Sequence, residues 1–259
     1  MNEKTVLATF DREMRQDVRP DGPGARVERV GGVVRQVGAG EQGWSAVLWS
    51  DLTEDTADRA IAEQVEYFAS LGQEFEWKHY AHDRPGDLGE RLAAAGLTPE
   101  PPESLMVAEV RDLPTDVALP DGIELRAVTD EAGVKLMADV HERVFGTDAT
   151  RLRNAVLTPL AEDPDTIAAI VAMDGEEPVC SARIEFNPGT QFAGLWGGGT
   201  VERWRGRGIY RALIAQRTRI AAARGYHYLQ VDASDESAPI LQRLGFARLS
   251  VTTPYVYQP

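Results

Sequence analysis

The sequence predicts an α+β protein with a mixed sheet, built from two similar halves in tandem. Short stretches with strand alternation are interleaved throughout with stretches of helical periodicity. The halves also repeat one order at one spacing. In the first, Leu48-Trp49 precedes a long helix, a strand, a short helix and Ala95-Gly96-Leu97. In the second, Leu195-Trp196 precedes the same series and Leu244-Gly245-Phe246. Trp49 and Gly96 are 47 residues apart, Trp196 and Gly245 49, which points to an internal duplication. The plain alternative is two unrelated halves that alternate strands and helices alike. At 259 residues the chain can bury two modest cores, and 43% hydrophobic with 26% charged residues is ordinary for a soluble globular protein.

The elements follow in order. Residues 1–25 are polar, contain Asp21-Gly22-Pro23-Gly24, and read as a tail or loop. Strands at 25–37 and 43–51 form a hairpin across Gly38-Ala39-Gly40. Thr53-Glu54-Asp55 opens a helix to Leu71, which Gly72 ends. Residues 74–79 put Phe75 and Trp77 on one strand face; 87–95 is a short helix closed by Gly96; 103–110 is a strand. Residues 111–121, with Pro114, Pro120, Asp116 and Asp121, read as a linker between domains at 1–115 and 120–259. The second half runs strand 123–127, a helix from Thr129 capped by Thr129 and Asp130, and a helix at 150–160. Strands 166–174 and 177–186 flank a turn at Asp174-Gly175. Strand 191–200, helix 206–224 ended by Gly225, strand 228–233, helix 238–244 and strand 247–257 complete it.

The formal charge is −14 and the pI 4.8, so the chain repels nucleic acid and anionic membranes except at a local basic patch. No apolar run approaches the roughly 18–20 residues that span a bilayer. Met1-Asn2-Glu3-Lys4-Thr5 lacks the basic-then-apolar form of a signal peptide, so a cytoplasmic location is expected. The single cysteine, Cys180, excludes an intramolecular disulfide and reads as a small buried residue rather than a reactive thiol.

Against that acidic background one stretch stands out: Thr200-Val201-Glu202-Arg203-Trp204-Arg205-Gly206-Arg207-Gly208-Ile209-Tyr210-Arg211. A strand ends, a glycine-containing turn follows, and a helix begins. Ile209, Ala212, Leu213, Ile220 and Ala223 share its apolar face. The first-turn N–H groups of a helix have no internal acceptor, and the helix dipole puts partial positive charge there. Gly206 and Gly208 remove side chains that would keep an anion from those donors, and four arginines surround the spot. A pyrophosphate fits such a site. The alternative is a solvent-facing basic helix start whose glycines serve the turn. There is no Gly-x-x-x-x-Gly-Lys-Ser/Thr, which excludes a P-loop, and no complete Gly-x-Gly-x-x-Gly of the dinucleotide-binding type.

Arg203-Trp204-Arg205-Gly206-Arg207-Gly208 resembles the Gln/Arg-x-x-Gly-x-Gly/Ala signature of the GNAT superfamily of acetyl-CoA-dependent N-acyltransferases. With the Leu-Gly-Phe at 244–246, the resemblance covers roughly residues 120–257. It implies a catalytic domain of that fold in the second half, using acetyl-CoA as co-substrate. It further implies that the backbone N–H groups of Gly206, Arg207, Gly208, Ile209 and Tyr210 hold the pyrophosphate. Arg203, Arg205 and Ser237 join the cofactor set. The pantetheine arm would lie along the strand ending at Gly199, Thr200 and Val201, where Gly197-Gly198-Gly199 permits close approach; a β-bulge without a ligand is the alternative. The first half resembles a degenerate copy: Ser50-Asp51-Leu52-Thr53-Glu54-Asp55-Thr56 stands where the signature would be, and its acids would repel a pyrophosphate.

Two departures bear on mechanism. The tyrosine that many members carry four residues before the glycine of Leu-Gly-Phe is Leu241 here, and a frequent asparagine seven residues earlier is Ser234. Tyr255, Tyr257, Ser234 or solvent would then protonate the leaving thiolate. Glu185 and Asp232 are the candidate bases, acting directly or through water; otherwise Glu185 is a strand residue facing water and Asp232 a partner for the Ser234–Ser237 turn. His79 and His82 read as unrelated residues rather than a metal pair, no metal is expected, and His141 is a candidate substrate contact. Trp44, Trp49, Trp77 and Trp196 read as core or interface aromatics. The expected activity is acetylation of a primary amine of a small molecule or peptide by direct attack in a ternary complex. The expected partners are that amine, with no nucleic acid and no membrane, on a monomer or homodimer. A CoA-binding sensor or scaffold without turnover is the second reading; nucleic-acid binding through the arginines is the third.

Overall fold

The computed structural model describes residues 1–40 and 43–259. In chain order the elements are α1 (Glu3–Phe10), β1 (Arg26–Val30), β2 (Val33–Val37), β3 (Ala46–Ser50), α2 (Ala57–Ser70), β4 (Phe75–Tyr80), α3 (Leu88–Ala94), β5 (Thr98–Pro99) and β6 (Glu103–Glu109). There follow β7 (Ile123–Val128), α4 (Glu131–Phe145), α5 (Thr150–Glu162), β8 (Ile167–Asp174), β9 (Glu177–Phe186) and β10 (Phe192–Thr200). The chain continues through α6 (Ile209–Ala223), β11 (Tyr228–Ala233), α7 (Ala238–Arg243) and β12 (Ala247–Tyr257). The chain gathers into two compact units. Unit 1 holds Met1–Met106 with Asp232–Gln242 and Ala247–Pro259; unit 2 holds Val107–Val231 and Arg243–Phe246. Unit 1 thus combines the first 106 residues with most of the last helix and strand.

In unit 1 the strands run β1-β2-β3-β4-β12, with β5 on β12; β3 and β4 are parallel and the other pairs antiparallel. The core gathers Val33, Val47, Ile61, Phe68, Phe75, Trp77, Leu88 and Leu92. Phe68 of α2 stacks on Phe75 at 4.4 Å between centroids. Burying side chains of this size contributes about 1.5–3 kcal/mol each.

Two sequence expectations are corrected here. Residues 25–37 are not one strand: Gly31 and Gly32, at φ +59° and +82°, turn the chain between β1 and β2. Positive φ at two successive residues is the requirement of a tight hairpin turn, which glycine meets without steric cost. Residues 1–25 are not all tail: α1, capped by Asn2 on the Thr5 N–H, runs into a π-helical turn at Asp11–Gln16. Val6 and Phe10, four apart, are buried on one face. The segment is also fixed by Arg15, whose side chain is 3% exposed. Its guanidinium donates 2.8 Å bonds to both carboxylate oxygens of Asp83, 2.8 Å to Asp11 and 3.0 Å to the Leu48 carbonyl, and lies 4.0 Å over the Tyr80 ring.

In unit 2 the order is β7-β8-β9-β10-β11, antiparallel up to β10 and parallel between β10 and β11. One apolar cluster lies under α4 and α5 around Val134, Met137, Val156 and Val171; another lies under α6 around Cys180, Ala182, Ile209 and Leu213. The sequence of a strand, a helix and a parallel neighbouring strand occurs twice, as β3–α2–β4 and β10–α6–β11. Two differences from the sequence reading concern α6. It starts at Ile209, not Gly206, and Ala223 is exposed while Arg217, Thr218 and Ala221 complete the buried face. Among the described residues no helix is long and apolar enough to cross a membrane.

Candidate active site

The parallel ladder between β10 and β11 covers only Phe192↔Tyr228, Ala193↔Leu229 and Gly194↔Gln230. Beyond Gly194 strand β10 continues six residues to Thr200 on its β9 pairing alone. A bulge between Trp196 and Gly199, with Gly197 at φ +59°, re-aims the strand there. The glycine run also serves packing: a Cβ on Gly198 would lie 2.8 Å from the Tyr210 ring, and one on Gly199 3.1 Å from Val144 and Phe145. The bulge is therefore present, and the bare backbone of Gly198 and Gly199 is met by the chain's own side chains.

The chain leaves β10 through a 3-10 turn at Glu202–Trp204 and enters α6 from Gly208. Gly206 and Gly208 sit at φ +73° and +85°, and a Cβ on either would meet nothing within 4 Å. No side chain caps α6 at Gly208, so the N–H groups of Ile209, Tyr210 and Arg211 keep their first-turn vacancies. Open space on glycine and uncapped donors fit a phosphate group. Val201 differs from its neighbours: its N–H goes to the Val179 carbonyl and its carbonyl accepts from Trp204, so only its side chain is on offer.

The arginines are distributed unequally. Arg203 pairs with Glu177, which also takes Arg143 at 2.7 Å; hydrogen bonds from these two guanidinium groups hold the Glu177 carboxyl below its ordinary range. Arg205 donates to the Thr200 carbonyl at 3.2 Å, and Arg207 lies 4.6 Å over the Trp204 ring. Arg211 is exposed and has no ion-pair partner among the described residues. Tyr210 is packed against Gly198, and burial pushes its hydroxyl up.

Glu185 pairs across from Gly194, at the residue where β10 and β11 part. Directly opposed residues share a sheet face, so Glu185, Gly194 and Gln230 face one way, as do Arg183 and Trp196 one register step along. Arg183 donates to Glu185 at 2.6 Å and lies 5.7 Å over the Trp196 ring. A Cβ on Gly194 would clash with the Trp196 indole nitrogen at 2.7 Å and the Gln230 amide at 2.9 Å. The glycine thus lets both polar tips gather beside Glu185. The sequence motif held no signal for Arg183, Trp196 or Gln230.

Most of the other candidates belong to unit 1, and His141 and Cys180 to unit 2. Asp232 accepts from Lys78 at 2.5 Å. Tyr255 pairs with Trp77 on β4, packs edge-on to His79 at 5.8 Å, and its hydroxyl lies 2.6 Å from where a Gly89 Cβ would be. Ser237 bonds Ser234 at the start of α7, and Leu241 is fully buried. His82 lies between Asp11 and Ser250, and His141 bonds Thr147. Cys180 is buried against Thr200 Oγ1 at 3.1 Å; burial pushes its thiol up to about 11. We therefore expect Ellman's reagent to release no thiolate from the native protein at pH 8 and one equivalent after unfolding. A fast native reaction would mean that this strand opens.

Here a parted sheet leads into a glycine-opened helix start. Residues 134–246 match the profile of the Acetyltransferase (GNAT) family. Among solved structures, a GCN5-related N-acetyltransferase from Kribbella flavida aligns at TM-score 0.70 and 17% identity, over 99% of this chain and 94% of that one. A tandem GNAT protein from the clavulanic acid biosynthesis pathway aligns at TM-score 0.62 and 12% identity, over 93% and 85%. A GCN5-related N-acetyltransferase from Sphaerobacter thermophilus gives 0.64 and 17%, over 88% and 78%. At these identities the likeness is one of fold. No curated protein sequence matches the chain.

Proposed function

We propose that the protein transfers an acetyl group from acetyl-CoA to a primary amine of a small molecule or peptide, by direct attack in a ternary complex. The observation that carries this is the parting of β10 from β11 just ahead of the uncapped, glycine-opened start of α6. Acetyl-CoA supplies the acetyl group as a thioester. The N–H groups from Gly206 to Tyr210 bind its pyrophosphate, with Arg205, Arg207 and Arg211 adding charge. The free edge of β10 receives the pantetheine arm. Glu185, aligned by Arg183, takes the proton that the amine must lose, directly or through one water. The thiolate gains its proton from solvent: Leu241 carries none, and the Tyr255 hydroxyl is packed against Gly89. The first half is a degenerate copy: Thr53 and Thr56 bond each other at the approach to α2, and Glu54, Asp55 and Asp58 crowd the same turn.

The buried Leu241 favours one second reading, a protein that binds acetyl-CoA without turning it over. Thiol release from acetyl-CoA, followed across a panel of polyamines, amino sugars, amino acids and peptides, separates the two. Turnover that falls at least a hundredfold in Glu185→Gln, with acetyl-CoA binding kept, supports the transferase. Binding with no turnover on any amine supports the second reading, and no binding sinks both.

A further inference from the structure

Unit 1 holds a polar cluster that the acetyl-CoA cradle does not use. On β4, Glu76 and Lys78 project to the same side; Asp232 at the end of β11, Glu103 at the start of β6 and Glu100 complete the group. Lys78 answers one oxygen of one carboxylate, Oδ2 of Asp232. The Asp232 side chain is only 6% exposed, and its Oδ1 is buried with no hydrogen-bond partner among the described residues. Buried carboxylate oxygens are rarely left bare, because desolvation is then uncompensated. Glu103 has no hydrogen-bond or ion-pair partner among the described residues, and burial, followed by the charge of Asp232, pushes its carboxyl up to about 7. Glu76 is likewise pushed up, chiefly by burial; its Oε2 accepts from the indole N–H of Trp44 at 3.1 Å, and Trp44 is 42% exposed.

We propose that this cluster is a binding site for the primary ammonium group of a small organic cation, held by Oδ1 of Asp232 and the Glu103 carboxylate, with Trp44 at the rim for its carbon chain. Three features select the ligand. Carboxylates outnumber the one lysine, so the site lacks positive charge. Among the described residues no three potential ligands converge closely enough to hold a metal ion, which disfavours a divalent cation. An ammonium carries three donors on a compact head and can bridge oxygens spaced more widely, while an indole face suits its alkyl stem.

The site has its own signature. With its carboxyl pushed up to about 7, Glu103 is partly protonated near neutral pH, whereas a bound ammonium requires its carboxylate, so binding releases protons. The groups facing Glu103 are Asp232, Lys78, Glu76 and Glu100.

The test is calorimetric titration of the full chain with n-butylammonium chloride, n-butanol and magnesium chloride, in two buffers of different ionisation enthalpy. The expected result is binding of the ammonium alone, with proton release near pH 7. Glu103→Gln, close in shape to the protonated form, weakens binding at least tenfold and removes the release. Glu66→Gln on the exposed face of α2 changes neither. Adding acetyl-CoA then distinguishes an acceptor, which becomes acetylated, from an effector, which does not; both leave the site in place. Binding unchanged in Glu103→Gln, butanol or magnesium binding equally well, or no proton release overturns the proposal. The result is separable from the transferase reading, because Gly206→Glu leaves this cluster untouched.

Discussion

Gly206→Glu is expected to weaken acetyl-CoA binding at least a hundredfold while leaving the protein folded. Gly206 is exposed, and a side chain there meets no neighbouring atom within 4 Å. The cost to folding is therefore confined to the backbone, where φ is +73°, at roughly 1–2 kcal/mol. The cost to binding is larger. A carboxylate about 5 Å from a phosphate at an effective dielectric near 20 adds about 3 kcal/mol of repulsion, more than two decades in affinity. Gly206→Ala carries the backbone cost without the charge and should keep binding within about tenfold. Calorimetry on all three proteins, with thermal unfolding alongside, checks the difference. If the glutamate variant binds as the wild type does, the pyrophosphate lies elsewhere and the cradle assignment fails.

Arg15→Met should destabilise unit 1 by about 3–5 kcal/mol, the usual cost of leaving a buried charge without its partner. The variant strips both oxygens of Asp83 and one of Asp11 at once, and Asp83 is itself 4% exposed. Asp83 also accepts the backbone N–H of Tyr80, so the loss spreads to the end of β4. Urea unfolding followed by tryptophan fluorescence reads the shift, since Trp77 lies in the same unit. Burial opposes ionisation of Asp11, but the hydrogen bond with His82 and the charge of Arg15 hold it below its ordinary range. Its folded value is thus depressed, so this contribution is present above the unfolded value near 3.8 and fades as pH falls through the folded one. In Arg15→Met that contribution shrinks. A variant as stable as the wild type would mean that α1 is not tied to the core through this arginine.

Legibility in the sequence tracked the distance between interacting residues. The glycine turn and helix start were readable because their parts are local: two glycines, a strand end and a helix start lie within a dozen residues, and periodicity alone locates α6. The β3–α2–β4 order was readable for the same reason. The hairpin at Gly31-Gly32 was written in the sequence but lost among the valines on either side, which together read as one strand. Helix α1 is short, and of its apolar residues Val6, Leu7, Ala8 and Phe10 only Val6 and Phe10 are buried; the residue that fixes the segment, Arg15, finds Asp83 68 positions away. Lys78 and Asp232 are 154 positions apart, and nothing local to either announces the other. Glu185 could be proposed from its strand, but its surroundings of Arg183, Trp196 and Gln230 depend on pairing register and on the bulge in β10.

Unit 1 sets a timing problem for synthesis. Strand β4 pairs with β12, and the bond from Thr252 to the His79 carbonyl spans 173 residues. At about 5–20 residues per second, β4 waits roughly 9–35 s after leaving the ribosome before β12 is made. Through that interval β4 carries an unpaired edge beside Trp77 and Phe75, a template for pairing with another chain. A fragment ending near residue 115 inherits the same exposed edge permanently. The nascent first half is thus open to mispairing for that time, and its reliance on a strand made so much later predicts slow folding.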